Sequence, residues 1–318
     1  MPVVDNLDAI ASPPDLIHGQ HHVETMAALL RFPNTPAVFF CHGWLPWEET
    51  PPKHPRILHY VAVDDTCRDR LLWEHAAPEE RVSVILNSVE TEQFLPRSPL
   101  PDKPARALVF SNGASESTHI VAVREACLRT QLTLDVIGAD SGNVAMRPQD
   151  LLGQYDIVFA KARCALEALA VGSAVVLCDT VGVGPMVTTG QMDQLRRLNF
   201  GVRALRGDVD PDVLEREIGR YDPRDAAEVT RRIRAGAGRE QAIDQIVELY
   251  QEVVREFETS QRDLDAEARA EATYLQQLAI HLENQRNTLL NSQTFRLRQR
   301  LLNLPLAGAL LRSLVRKL

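Results

Sequence analysis

The helix-like run from Arg163 to Val171 has one acidic residue, Glu167, and it lies between two apolar, β-branched runs, Ile157–Ala160 and Ala174–Cys178. Burial alone would place Leu or Ala there, so a carboxylate behind Lys161 and Arg163 marks either an exposed stripe of the helix or a site. Histidines form a second group. His42 ends the apolar run "AVFFC", and a neutral imidazole there can donate one hydrogen bond and accept another. His18, His21 and His22 include a His-x-x-His spacing that can chelate zinc, but with no acidic or Cys ligand nearby and a strand-to-helix turn beneath them no metal is expected.

These residues fall on a strand–helix alternation. Asp15–His18, "AVFFC", "ILHYVAVDD" and "RVSVILN" read as strands, with helices over "HHVETMAALLRF" and from Thr66 to about His75. After the Pro-rich "LPRSPLPDKPAR", the strands "ALVFSN", "LTLDVIG", "DIVFAK" and "AVVLCD" alternate with helices at Thr118–Arg129 and Arg163–Val171. Near-continuous apolar strands separated by helices predict α/β architecture, with parallel sheets covered on both faces. Ligands in such sheets sit outside the carboxyl ends of the strands. The residues at those ends are His18, His42, Asp64, Asp65 and Asn87 in the first half, and Ser111, Asn112, Gly138, Lys161 and Asp179 in the second. Polar residues also favour turns, so strand ends alone leave both readings open.

From about Asp225 the pattern is helical. Phe257, Leu264, Ala268, Leu275, Leu278, Leu282 and Leu289 follow a three–four spacing, with Gln261, Glu271 and Gln285 in the polar slots. That suits a coiled-coil homodimer, and equally one amphipathic helix lying on the body. The expected division is 1–95, 96–250, a helical segment 251–292 and a basic amphipathic tail 293–318, with the Pro-rich link as the main boundary.

Charge is uneven. The 318 residues carry a net −8, yet from Asn291 onward there are six basic residues and no acid. The acidic balance argues against a nucleic-acid partner, while Leu mixed with Arg around Pro305 suits either an anionic membrane surface or a packed helix. Five widely spaced cysteines without a CxxC pair, no apolar run long enough for a bilayer and no signal-peptide pattern lead to the expectation of a reduced, cytoplasmic protein, peripheral at the inner membrane face if the tail binds lipid.

The segment "ERVSVILNSVETEQFLP" resembles the "RV-x-V-I-x-N-G-V-D-x-x-x-F" linker of nucleotide-sugar glycosyltransferases of the two-Rossmann GT-B fold, family 4 in particular, with Ser88 for Gly and Glu90 for Asp. "DLIHGQHH", "AVFFCHGW", "LDVIGADSGN" and "CALEALAVGSAVVLCD" resemble further segments of that family in the same order, over roughly Asp15 to Tyr250. The resemblance implies two Rossmann-like domains, the amino-terminal one incomplete, plus a C-terminal helical extension. It implies that Glu167 bonds the ribose hydroxyls of a sugar nucleotide, and that its helix points at the diphosphate with Lys161 and Arg163 beside it. It places His42 near the donor sugar, His18 and Asn87 in the acceptor-side cleft, and Asn112, Gly138 and Gly184 around the donor, the last in a glycine-bearing loop "DTVGVGPMVTTG".

Three departures accompany it. Asn112 and Ser117 stand where the family has an Arg and a Lys clamping the diphosphate. Eight positions before Glu167 comes Phe159, where the family has a second acid. The family's first strand and its glycine-rich loop would lie upstream of Met1, leaving either a misplaced start or a degenerate transferase. The expected activity is metal-independent transfer of a sugar from a nucleotide donor to a hydroxyl acceptor, a glycan or lipid-linked saccharide of the cell envelope. The alternatives are a non-catalytic scaffold that docks through its coiled coil and basic tail, and a nucleotide-sugar epimerase of the same fold.

Overall fold

The computed structural model describes residues 3–43 and 47–302. The chain forms two compact units, one of Met1–Pro52 with Ile57–Ser260, the other of Lys53–Arg56 with Gln261 onward.

The larger unit begins with β1 (Ile17–Gly19), α1 (His22–Arg31), β2 (Ala37–Cys41), β3 (Ile57–Ala62), α2 (Asp65–Asp69) and β4 (Val82–Val84). The strands form one parallel sheet in chain order, β1-β2-β3-β4. β1 starts two residues later than its apolar pattern suggests. Its ladder opens where the Ile17 N–H meets the Pro36 carbonyl, and it alternates buried Ile17 and Gly19 with exposed His18. β2 is buried at all five positions, as a strand covered on both faces must be. The helix expected from Thr66 to His75 is instead a five-residue α2 followed by a π turn, Arg70–Glu74. That wider turn carries the buried Arg70, whose guanidinium donates to the Gly43 carbonyl (2.7 Å) and the Glu49 carbonyl (3.2 Å).

A second sheet follows from β5 (Arg106–Phe110), β6 (Thr133–Ile137), β7 (Ile157–Ala160), β8 (Ala174–Asp179) and β9 (Gly182–Met186), in the order β6-β5-β7-β8-β9. All its pairs are parallel except β8 with β9. α3 (Ile120–Arg129) and α4 (Ala162–Val171) are its crossovers, and α5 (Met192–Arg197), α6 (Pro211–Ile218) and α7 (Pro223–Gly236) follow. Val158 and Ala160 of β7 point to one core with α4, Ile157 and Phe159 to another with α3, so the sheet is buried on both faces. α8 (Arg239–Thr259) returns to the first sheet, where Leu249 and Val253 pack with Val38, Phe40 and Val61. Arg97, in the Pro-rich link, pairs with Asp156 at 2.9 Å, which anchors that link to the start of β7.

The smaller unit contains α9 (Leu264–Asn291) and α10 (Gln293–Leu302). Asp263 caps α9 by accepting the Ala266 N–H at 2.9 Å. The three–four pattern that begins at Phe257 is therefore not one seam: the helix stops at Thr259, and Phe257 packs against the first sheet's core. Glu267 is buried between Arg56 (3.0 Å) and Arg262 (2.7 Å), so the short strap Lys53–Arg56 is tied to α9 by an ion-paired carboxylate. Residues 303–318 of the basic tail lie outside the described residues.

Candidate functional site

In the second sheet the chain reverses between β5 and β7. From β5 it passes to β6 on one side, then crosses back to β7 on the other, so the loops leaving β5 and β7 diverge and open a crevice at their carboxyl ends. Ser111 follows β5, Lys161 follows β7 and Asp179 closes β8. Buried Asp179 accepts from Ser111 Oγ (3.2 Å), from the Thr180 N–H (2.7 Å) and from the Lys161 ammonium. Burial opposes its charge, but Lys161 and the Thr180 N–H outweigh burial and hold its pKa below the ordinary carboxylate range. His119, one residue before α3, is buried beside this pair, and neither ring nitrogen has a partner among the described residues. Burial lowers its pKa, with Asp179 pulling the other way, so it rests neutral.

Glu167 lies in the second turn of α4 and is buried, although a carboxylate at that depth loses its water. Arg163 Nε donates to it at 2.8 Å from one turn earlier, while the Arg163 side chain stays 73 % exposed. Burial raises the Glu167 pKa, Arg163 works against that, and Glu90 adds to it. Glu90 belongs to the linker between the sheets, which brings a like charge near the Glu167 carboxylate. The N-terminus of α4 is partly closed. The Ala162 N–H is taken by the Phe200 carbonyl at 2.8 Å, with Ala162, Asn199 and Phe200 all at positive φ.

Gly138 is buried after β6, where a Cβ would stand 1.8 Å from the Ser111 carbonyl oxygen, so only glycine lets these two strand ends touch. Asn112 is exposed, its carbonyl accepting the Asp140 N–H at 2.9 Å. Gly184 is not in a loop. "GVGPM" forms the antiparallel edge strand β9, and a Cβ at Gly184 would meet the Ala204 carbonyl at 2.6 Å and Leu177 Cβ at 2.9 Å. Its glycine is explained by packing under the Ala204 turn, which the loop reading of this stretch missed.

On the first sheet the Phe40 ring lies near both imidazoles, stacked on His18 at 4.1 Å between centroids and 6.3 Å from His42. His18 is fully engaged, with Nδ1 on the Tyr250 hydroxyl and Nε2 3.1 Å from Gln20 Nε2. Although part of the side chain is open to solvent, burial of the ring against Phe40, then His42, lowers its pKa to about 4. His42 has no hydrogen-bond partner among the described residues, and burial followed by His21 keeps its pKa below the ordinary value. Among the described residues no group of His, Cys, Asp and Glu could hold a metal ion.

The two sheet domains meet through residues that strand-end reasoning did not single out. Arg196, its pKa lowered to about 10 by burial, donates to the Asn87 carbonyl and to Asn199 Oδ1 (2.9 Å). Asn199 Nδ2 donates to the Val63 carbonyl at 3.2 Å, and Arg197 pairs with Asp65 at 2.9 Å. Asn87 thus joins the domains through its backbone. Arg196 and Asn199 lie at and just after the end of α5, in a stretch with no apolar strand to mark it, and His119 lies nine residues past the end of β5, so none carried a sequence signal.

Two parallel-stranded Rossmann-like domains joined at such a linker define the GT-B class of fold. Residues 4–93 match the family described as Glycosyltransferase Family 4. Among solved structures, HepE from Anabaena in complex with UDP aligns at 13 % identity over 75 % of this chain and 79 % of that one, TM-score 0.56. HepE with UDP and glucose aligns at 15 % over 74 % and 77 %, TM-score 0.55. Sucrose-phosphate synthase from Thermosynechococcus elongatus aligns at 14 % over 75 % and 73 %, TM-score 0.54. No curated protein matches the chain in sequence. The chain therefore has the GT-B fold and resembles family 4 of the glycosyltransferases, with a helical region at its C-terminal side. No helix among the described residues is long and apolar enough to cross a membrane.

Proposed function

We propose that this chain is a glycosyltransferase that moves a sugar from a nucleotide donor to a hydroxyl acceptor. The observation that carries the reading is the buried Glu167 carboxylate on the helix that leaves the switch-point crevice, where the ribose hydroxyls of a sugar nucleotide would donate hydrogen bonds to it. The donor diphosphate lies against the start of α4, within reach of the exposed Arg163 and of Lys161. Transfer breaks the bond between the anomeric carbon and the diphosphate oxygen and forms one to the acceptor oxygen, whose proton leaves. Neutral His42, with no ring nitrogen engaged among the described residues, contacts the sugar. No resident metal is needed, since helix dipole and cations carry the charge of the leaving group. HepE was crystallised with UDP, so a uridine nucleotide is the first donor to test. The acceptor is a cell-envelope glycan or lipid-linked saccharide, presented at an inner membrane face that the basic tail would contact; the sheet domains divide near 95, and the expected break at 250 moves to Ser260 because α8 runs unbroken to Thr259.

A second reading has a specific observation behind it. Both cations that would replace the missing clamp are already neutralised, Lys161 by Asp179 and Arg163 by Glu167. A binding protein that no longer turns over donor would keep such pairs intact.

A thermal-shift panel of UDP, GDP, ADP and TDP, each with a sugar conjugate, tests the first reading. A donor at about a hundred times its dissociation constant adds about 2.7 kcal/mol. A shift with one nucleotide that disappears in Glu167→Ala supports the ribose role; no shift with any of them rejects it. Release of free nucleoside diphosphate on adding acceptor separates transferase from binding protein.

A further inference from the structure

α9 carries two stripes. One is buried or half-buried: Glu267, Glu271, Tyr274, Leu278 and His281. Round the helix from it runs a second stripe, Ala268, Ala272, Leu275, Ala279, Leu282 and Arg286, exposed at every position. Its spacing alternates four and three over about 27 Å of helix, and Leu275 and Leu282 remain 52 % and 55 % exposed. An exposed 4–3 apolar stripe is the pattern of a helix that pairs with another helix.

We infer that this stripe is the interface of a homodimer in which α9 pairs antiparallel with α9 of a second copy. The residue types select both partner and direction. With a two-fold axis near residue 277, Leu275 faces the partner's Ala279 and Leu282 faces the partner's Ala272, so every central layer sets one large side chain against one small one. The outer layers set the Arg286 stem over the partner's Ala268, where its methylenes cover apolar surface and its head reaches water. Beside the seam, Arg269 falls opposite the partner's Glu283, twice by symmetry. A parallel pair would instead put Ala272 on Ala272 and Ala279 on Ala279, leaving gaps, and Arg286 on Arg286, setting like charges together. A foreign helix has no reason to supply the complementary sequence; a second copy supplies it by symmetry. This interface is independent of the donor chemistry.

Sedimentation velocity of the full chain tests it, with charge reversal in place of core disruption so that folding is spared. Wild type is expected to sediment as a reversible dimer. R269E sets a carboxylate against the partner's Glu283 and is expected to weaken dimerisation at least about 10-fold. The double variant R269E/E283R restores opposite charges only in the antiparallel register and is expected to recover the dimer. L275E/L282E is expected to be monomeric with an unchanged far-ultraviolet circular dichroism spectrum. A wild-type chain that stays monomeric across the concentration range overturns the inference, as does a dimer indifferent to R269E or not rescued by E283R.

Discussion

The carboxyl ends of the two sheets present similar numbers of polar residues and treat them in opposite ways. At the ends of β1 and β2 in the first sheet the groups are imidazoles held neutral, His18 and His42 around one Phe40 ring, and of these two His18 is the one committed to structural bonds among the described residues. On the second sheet they are charges, each internally compensated: Lys161 on Asp179, Arg163 on Glu167. A neutral surface of donors and acceptors suits hydroxyls, and a compensated cationic crevice suits an anion that can compete for the cation. The difference teaches that the second crevice, with Asn112 and Ser117 rather than cations after β5, still holds positive charge, and that this charge is pre-paired.

The largest effect should come from breaking the deeper pair. Asp179→Ala strands the Lys161 ammonium and removes the acceptor of Ser111 and the Thr180 N–H. It is expected to cost about 3 kcal/mol in a denaturant titration, the low end for breaking a buried pair because Lys161 is partly solvated. Glu167→Ala should leave stability nearly unchanged, since its partner Arg163 is exposed, yet weaken donor binding by about 10- to 100-fold in a calorimetric titration, the value of hydrogen bonds to a charged group. An equal loss of stability in both variants would erase the distinction between a structural and a ligand-facing carboxylate.

The first sheet can be split in the same way. His42→Ala should lower turnover about 100-fold with no change in melting temperature, whereas His18→Ala should lose about 1 kcal/mol of stability with its Tyr250 and Gln20 contacts. His18 also gives a pH response. Its folded pKa of about 4 lies below the ordinary 6.5, so the unfolded chain binds more protons between these values. Stability is fully present above about pH 6.5 and falls as pH drops toward 4, a slope that His18→Asn should flatten in melting curves recorded across that range.

Much of this molecule was legible in local sequence. The strands, the crossover helices and the Pro-rich link follow from apolar runs and breakers that act within a few residues. Glu167 stood out because a carboxylate in an apolar helix violates the burial pattern. Tertiary structure decided what no local pattern carries. Gly184 looks like a loop glycine until β9 pairs antiparallel to β8 and brings Ala204 against it. Phe257 reads as a heptad member until the helix stops at Thr259 and turns that ring to the first sheet. The engagement of His18 by Tyr250, 232 positions away, the pairing of Lys161 with Asp179 and the joining of the domains through Arg196 are long-range contacts. Sequence by itself determined the parallel strands, the crossover helices and the polar residues that end them, because those depend on neighbours along the chain, while the edge strand β9 and the π turn after α2 did not show. Which of those polar residues are spent on one another and which stay open to a ligand was decided only by folding, because burial and charge pairing depend on neighbours in space.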